Sequence, residues 1–168
     1  MATPLSTEER RLWYAFLQAH RRLIRELNAE LEAEHGISLP EYEVLLWVRQ
    51  TPGRAIRMGE LAETVMLSPS GLSRLVDRLV AAGLVERCGF SGDARGVMAR
   101  ITDSGLKRFR EASATHLSGV RRHFLERVPP DLQERFAEVL EGVAGWSLTE
   151  ALRERRRAER EAGSLKPA

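Results

Sequence analysis

Between Met58 and Gly83 two short amphipathic helical patterns follow each other with almost no chain between them, and few architectures hold such a pair. Leu61, Ala62 and Val65 form the apolar stripe of the first, with Gly59 as an acceptable N-cap. Ser68-Pro69 restarts the chain: the serine hydroxyl can cap, and proline at the first helical position gives up an N–H that would have no partner there. Leu72, Leu75, Val76 and Leu79 make the inward face of the second pattern, and Gly83 stands where a left-handed cap belongs, with Leu84 placed to meet Leu79. Two helices this short and this close form a helix-turn-helix or an ordinary helical hairpin. The outward positions of the second helix are Ser68, Ser70, Gly71, Ser73 and Arg74, with Asp77 and Arg78 farther along. Small residues there let a backbone approach the major groove of duplex DNA, where Arg74 can reach the two acceptors of a guanine edge or a phosphate.

The flanks are built differently. Ser6 and Glu9 have the spacing of a capping box at the head of a long helix carrying Leu12, Phe16, Leu23, Ile24, Leu27 and Leu31, which Gly36 ends. A second box, Ser38 and Glu41, opens a shorter helix with Val44, Leu45 and Val48, stopped at Thr51-Pro-Gly53. After Gly83 come two extended pieces, residues 84–88 and 97–102, joined by a linker rich in glycine and charge. Thr102 can cap another long helix bearing Leu106, Phe109, Leu117, Val120 and Phe124. Pro129-Pro-Asp131 breaks it and starts a last one with Leu132, Phe136, Val139, Leu140 and Val143. Residues 147–168 are nearly all charge, without a core-facing stripe. The expected order is helix, helix, short strand, helix, helix, strand, wing, strand, helix, helix: one mainly α domain with a small β-wing.

Charge is uneven along this order. The net charge is only +2, yet from Arg54 to Arg110 ten basic residues stand against six acidic ones, so the middle is positive and the rest slightly negative. A positive middle suits a polyanion, although a solvated charged surface would look the same. Length and a 43% apolar composition suit one soluble domain with a real core. No apolar run approaches the ~20 residues of a membrane helix, and no basic-then-apolar secretory leader is seen at Met1, so a cytoplasmic protein is expected. Cys88 is the only cysteine, so no disulfide can form within the chain, and a structural thiol is the better reading of it.

The hairpin narrows the alternatives. Asp93-Ala-Arg95 followed by Ile101-Thr102 resembles the DxRxxxxxLT signature of the MarR (multiple antibiotic resistance regulator) family of winged helix-turn-helix proteins, with isoleucine for the usual leucine at position 101. The stretches 59–63, 67–79 and 83–87 are similar to that family as well. The resemblance implies a wing whose Arg95 enters the minor groove while Asp93 holds its guanidinium, a readout of groove width and potential more than of sequence. It implies a homodimer built from helices at residues 6–35 and 103–145 around a winged unit at 38–102. The apolar residues of those helices fit this independently, being more than a small winged domain can cover. Two-fold symmetry would set the recognition helices roughly 34 Å apart on a near-palindromic operator. It further implies a crevice for a small aromatic or phenolic effector, for which Trp13, His20, Tyr42 and Trp47 are the amphipathic candidates, although aromatics at helical spacing are more often core.

The function classes left are a DNA-binding transcription regulator, expected to repress, and a winged-helix protein-interaction module without sequence-specific DNA binding. A pure interaction module has no need of a basic wing tip. The sequence carries no phosphate-binding loop, nucleophile motif or paired acids, so no enzyme and no cofactor are expected. His116 and His123 lie two helical turns apart without other metal-type ligands, so no metal is expected either.

Overall fold

The computed structural model describes residues 3–145 apart from 66, 91 and 92, together with Ser147; for Phe90 and residues 93–96 it describes the backbone alone. The charged stretch 148–168 and the wing linker at 91–92 therefore lie outside the described residues. The chain divides into two compact units, residues 1–124 and 125–168. The fold is mainly helical with a small antiparallel sheet.

The first unit begins with α1 (Thr7–His35), roughly 43 Å long at 1.5 Å per residue. Its capping box forms in full: Ser6 Oγ accepts from the Glu9 N–H and the Glu9 carboxylate from the Ser6 N–H, while Gly36 closes the helix in the left-handed conformation. Helix α2 (Leu39–Gln50) opens with the second box, Ser38 and Glu41. The short strand β1 (Ala55–Arg57), α3 (Met58–Thr64), α4 (Pro69–Ala81), strands β2 (Val85–Phe90) and β3 (Asp93–Ile101), and α5 (Asp103–His123) complete it. The sheet runs β1-β3-β2, with Ala99 opposite both Ile56 and Arg87 and with Ile101 opposite Val85. Leu31, Val44, Leu45, Val48, Leu61, Leu72, Val76, Leu79 and Val85 are almost wholly enclosed and form one core beneath α4 and the sheet.

Two glycines mark close approaches, one to a backbone and the other to the ends of side chains. A Cβ on Gly105 would run into the Leu84 carbonyl oxygen, so α5 can start against the base of β2 only with glycine there. A Cβ on Gly119 would stand 2.6 Å from Glu30 Oε2 and 2.8 Å from Leu27 Cδ2, so these two side chains of α1 would have to shift to admit one. Along that contact Glu30 receives Arg122 at 2.5 Å and His123 at 2.7 Å. Hydrogen bonding from His123 is the main cause holding the Glu30 carboxyl below the usual carboxylate range.

The second unit holds a short 3-10 turn at Pro130–Leu132 and helix α6 (Gln133–Ala144), closed by left-handed Gly145. No residue of α6 is buried.

The structure departs from the sequence expectations at three places. Helix α3 starts at Met58 behind Arg57, with no side-chain cap, so Gly59 lies inside it. Both hairpin strands run farther toward the tip than 84–88 and 97–102: Gly89 still pairs with Val97, and after a shift of register Phe90 pairs with Asp93. Helix α5 ends at His123, not at the prolines: Phe124 leaves helical geometry and a 3-10 turn at Leu125–Arg127 follows.

Candidate nucleic-acid interface

Helix α4 is positioned by its own sequence. Ser68 holds an extended backbone and its hydroxyl accepts from the Gly71 N–H at 3.1 Å, with Pro69 at the first helical position. At the other end the Gly83 N–H donates to the Val80 carbonyl and the Leu84 N–H to the Leu79 carbonyl, both at 2.9 Å, with Gly83 at φ +69°. This is the paired-bond ending that a left-handed glycine permits, and buried Leu84 and Leu79 are placed to meet across it, as the spacing suggested. Leu72, Leu75, Val76 and Leu79 face the core. Ser68, Ser70, Arg74, Asp77 and Arg78 are exposed, and Gly71 and Ser73 are half-buried at the edge of the same face. The N-terminal turn thus presents backbone N–H groups, hydroxyls and one arginine outward, the donor set that phosphates and base edges accept.

Two arginines fix this helix in ways the sequence did not announce. Arg78 Nε donates to Glu41 Oε1 at 2.8 Å, linking the exposed face of α4 to the start of α2. Glu41 is nearly buried and also receives the Ser38 N–H and the Ser38 hydroxyl, each at 2.8 Å. Burial pushes its carboxyl up, but the bonds from Ser38 and Arg78 together outweigh that, and the group sits below its ordinary value. Arg87, from β2, reaches Asp77 at 2.8 Å and both the hydroxyl and the carbonyl oxygen of Ser73. No short-range rule pairs a strand arginine with helix residues 10 and 14 positions away, so spacing alone could not have found it.

The hairpin is joined to α5 at one knot. Thr102 Oγ1 donates to the Gly83 carbonyl at 2.7 Å and accepts from the Gly105 N–H at 3.0 Å, and the Thr102 N–H reaches the Leu84 carbonyl at 3.1 Å. Asp93 and Arg95 belong to β3 by their backbones, and their side chains lie outside the described residues.

The residues expected near an effector fall into separate surroundings. Trp13 and His20 lie on the exposed first half of α1, each stacked on Phe16 at ring-centroid distances of 6.2 and 6.3 Å. Trp47 is partly exposed on α2. Tyr42 is buried, stacked on Phe109 at 5.3 Å, 4.6 Å from the His116 ring, and bonded through its hydroxyl to Ser113 Oγ. Burial lowers the pKa of His116, whose Nδ1 is enclosed. Among the described residues no group of three His, Cys, Asp or Glu side chains is arranged to hold a metal, and no helix is long and apolar enough to cross a membrane.

Comparison with known proteins places this geometry. The sequence pattern of the MarR family matches residues 35–96. The structure of AbsC, a MarR family transcriptional regulator from Streptomyces coelicolor, is 31% identical; the match covers 91% of this chain and 99% of AbsC, with a TM-score of 0.80. Sco3205, a MarR family transcriptional regulator from the same organism solved in complex with DNA, is also 31% identical, over 85% of this chain and 90% of its own, with a TM-score of 0.81. A curated relative, the HTH-type transcriptional regulator YfiV of Bacillus subtilis, is 26% identical over 107 residues, 63% of this chain. The chain spans less than two thirds of the length of the curated relatives it matches.

Proposed function

Because this chain belongs to the MarR family of transcriptional regulators, we propose that it binds double-stranded DNA as a homodimer, on a near-palindromic operator, and acts as a repressor released by a small aromatic or phenolic effector. The observation that carries the reading is the outward face of α4: a serine-capped helix N-terminus with Ser70 and Arg74 exposed, beside a hairpin whose sequence supplies Asp93 and Arg95. The complex of Sco3205 with DNA supports it, as does the positive middle of the chain. In this reading Ser68, Ser70, Gly71, Ser73 and Arg74 meet the major groove, Arg78 borders it while held by Glu41, and Arg95 enters the minor groove with Asp93 orienting it.

Dimerisation is supported by apolar side chains left in water. Leu12, Trp13, Tyr14, Phe16 and Ile24 on α1, and Leu132, Phe136, Val139 and Val143 in the second unit, are all exposed in the single chain. An effector acts in this scheme only through a differential affinity for two spacings of the recognition helices. Trp13, His20, Tyr42 and Trp47 are the residues proposed to meet such a molecule; in the single chain Tyr42 is buried and the other three are exposed.

The test is retention of genomic double-stranded fragments by purified protein at low salt, followed by base-by-base substitution in the selected site. Arg95→Ala is expected to weaken all sites by a similar factor. Arg74→Ala is expected to relax preference at one base pair per half-site, at a cost of about 1–3 kcal/mol. Protein that retains no duplex would leave the interaction-module reading in place instead.

A further inference from the structure

An arginine close to a recognition helix is ordinarily read as a phosphate ligand, but the surroundings of Arg87 argue otherwise. Its Nη2 lies 2.8 Å from Asp77 Oδ1, 3.1 Å from Ser73 Oγ and 3.3 Å from the Ser73 carbonyl oxygen. Ser73 and Asp77 stand one turn apart on α4, so a single guanidinium from the strand spans a turn of the helix. Residues two apart on a strand share a face, and Arg87 therefore shares that of Val85, which is 2% exposed and turned to the core. Glu86, on the opposite face, pairs instead with its cross-strand neighbour Arg100 at 3.7 Å.

We infer that Arg87 is a positioning residue for DNA binding, which fixes β2 to α4 so that the hairpin and the recognition helix meet the duplex at one set angle. The inference rests on the DNA-binding reading above. Its physical basis is where along the strand the attachments fall. The base of β2 is already fixed beside α4 by the tight turn at Gly83 and Leu84, by Val85 in the core and by pairing with β3, whose end Thr102 ties to Gly83. Arg87, two residues nearer the hairpin tip than Val85, adds a contact to the polar face of α4 and so restrains the tilt of the outer part of the strand. Without that contact the outer strand keeps freedom that is lost on binding, when both elements must be ordered against DNA at once.

The sign of one substitution tests this. Asp77 is an exposed acid beside the proposed interface, so if it does nothing but repel phosphate, Asp77→Asn binds DNA more tightly. If it holds Arg87, Asp77→Asn binds more weakly, by about twofold to fivefold, the size an exposed ion pair can supply. Arg87→Lys is expected to lose a similar factor, because Nη2 alone makes all three contacts and the lysine nitrogen, one bond nearer the backbone, keeps the charge but falls short of Ser73 and Asp77. In both variants the slope of log affinity against log salt stays at the wild-type value, whereas loss of a phosphate contact would reduce it by about one. Thermal melting of each variant, run alongside, separates a change of angle from loss of the fold. A tighter-binding Asp77→Asn overturns the inference, as does an Arg87→Lys protein that matches wild type while Arg87→Ala loses salt dependence; either leaves the DNA-binding reading intact. Wild-type protein that retains no DNA overturns both.

Discussion

Helices α4 and α6 are of nearly equal length, 13 and 12 residues, and both carry apolar side chains at helical spacing, yet their fates differ. Helix α4 buries four of its apolar residues and holds its polar face through Arg78, Ser73 and Asp77. Helix α6 buries none: Phe136 is 40% exposed, Val139 56% and Val143 75%. An amphipathic pattern thus states that a helix requires a partner surface, and says nothing about whether that surface belongs to the same chain. The first half of α1 resembles α6 in this respect, with Leu12 74% exposed, while its last turns bury Leu27 and Leu31.

The sharpest way to break the comparison is to shorten one side chain on each helix. Leu72→Ala, at a site 1% exposed, is expected to cost about 2–5 kcal/mol of unfolding free energy in urea. Next in size is the paired change Phe136→Ser and Val139→Ser. It should shift the sedimenting species from dimer toward monomer and make the melting temperature depend less on protein concentration. A variant that stays dimeric and loses stability at infinite dilution would show that α6 packs on its own chain after all.

A smaller effect is expected at Glu41, where α4 is tied to α2. Because its carboxyl is held below its ordinary value in the folded protein, it contributes stability above the unfolded-state pKa, near 4.3. That contribution fades as pH falls through the lower folded-state value. Glu41→Gln should therefore lower stability at neutral pH by about 1 kcal/mol, the scale of a lost capping bond, and flatten the acid limb of the stability profile. An unchanged acid limb would mean that the Arg78 and Ser38 bonds contribute nothing on balance. The least effect is expected from truncation after Ser147, which should leave melting temperature and DNA affinity near wild type, since the removed segment has no apolar stripe.

What the sequence disclosed and what it withheld divide along a physical line. Caps are local: Ser6 with Glu9, Ser38 with Glu41, Ser68 with Pro69, Thr102, and the glycines at 36 and 83 act where residue type dictates backbone geometry within a few positions. The helix-turn-helix and its outward face followed from these. Arg87 with Ser73 and Asp77, and Arg122 with Glu30, are pairings of exposed or half-exposed charges across sequence distance, where many partners are chemically equivalent and only packing selects one. Tyr42 illustrates the same limit, because an amphipathic ring suits a mixed pocket and a core equally well until Phe109 and His116 are seen around it. Helix α5 ends before the prolines for a related reason: a proline forbids continuation, but nothing obliges a helix to run up to it.

The knot at Gly83, Leu84, Thr102 and Gly105 has a consequence for how this chain can change over evolutionary time. Three elements change direction there within hydrogen-bonding distance, and one of them tolerates no side chain. Lengthening the chain by a residue on either side would displace carbonyl and hydroxyl partners together, so insertions and deletions should be purged at this spot and accumulate at the hairpin tip instead. The same stiffness makes the junction a fulcrum: a tilt of α5 is delivered to α4 and the hairpin without slack, and any give in the molecule must come from somewhere else.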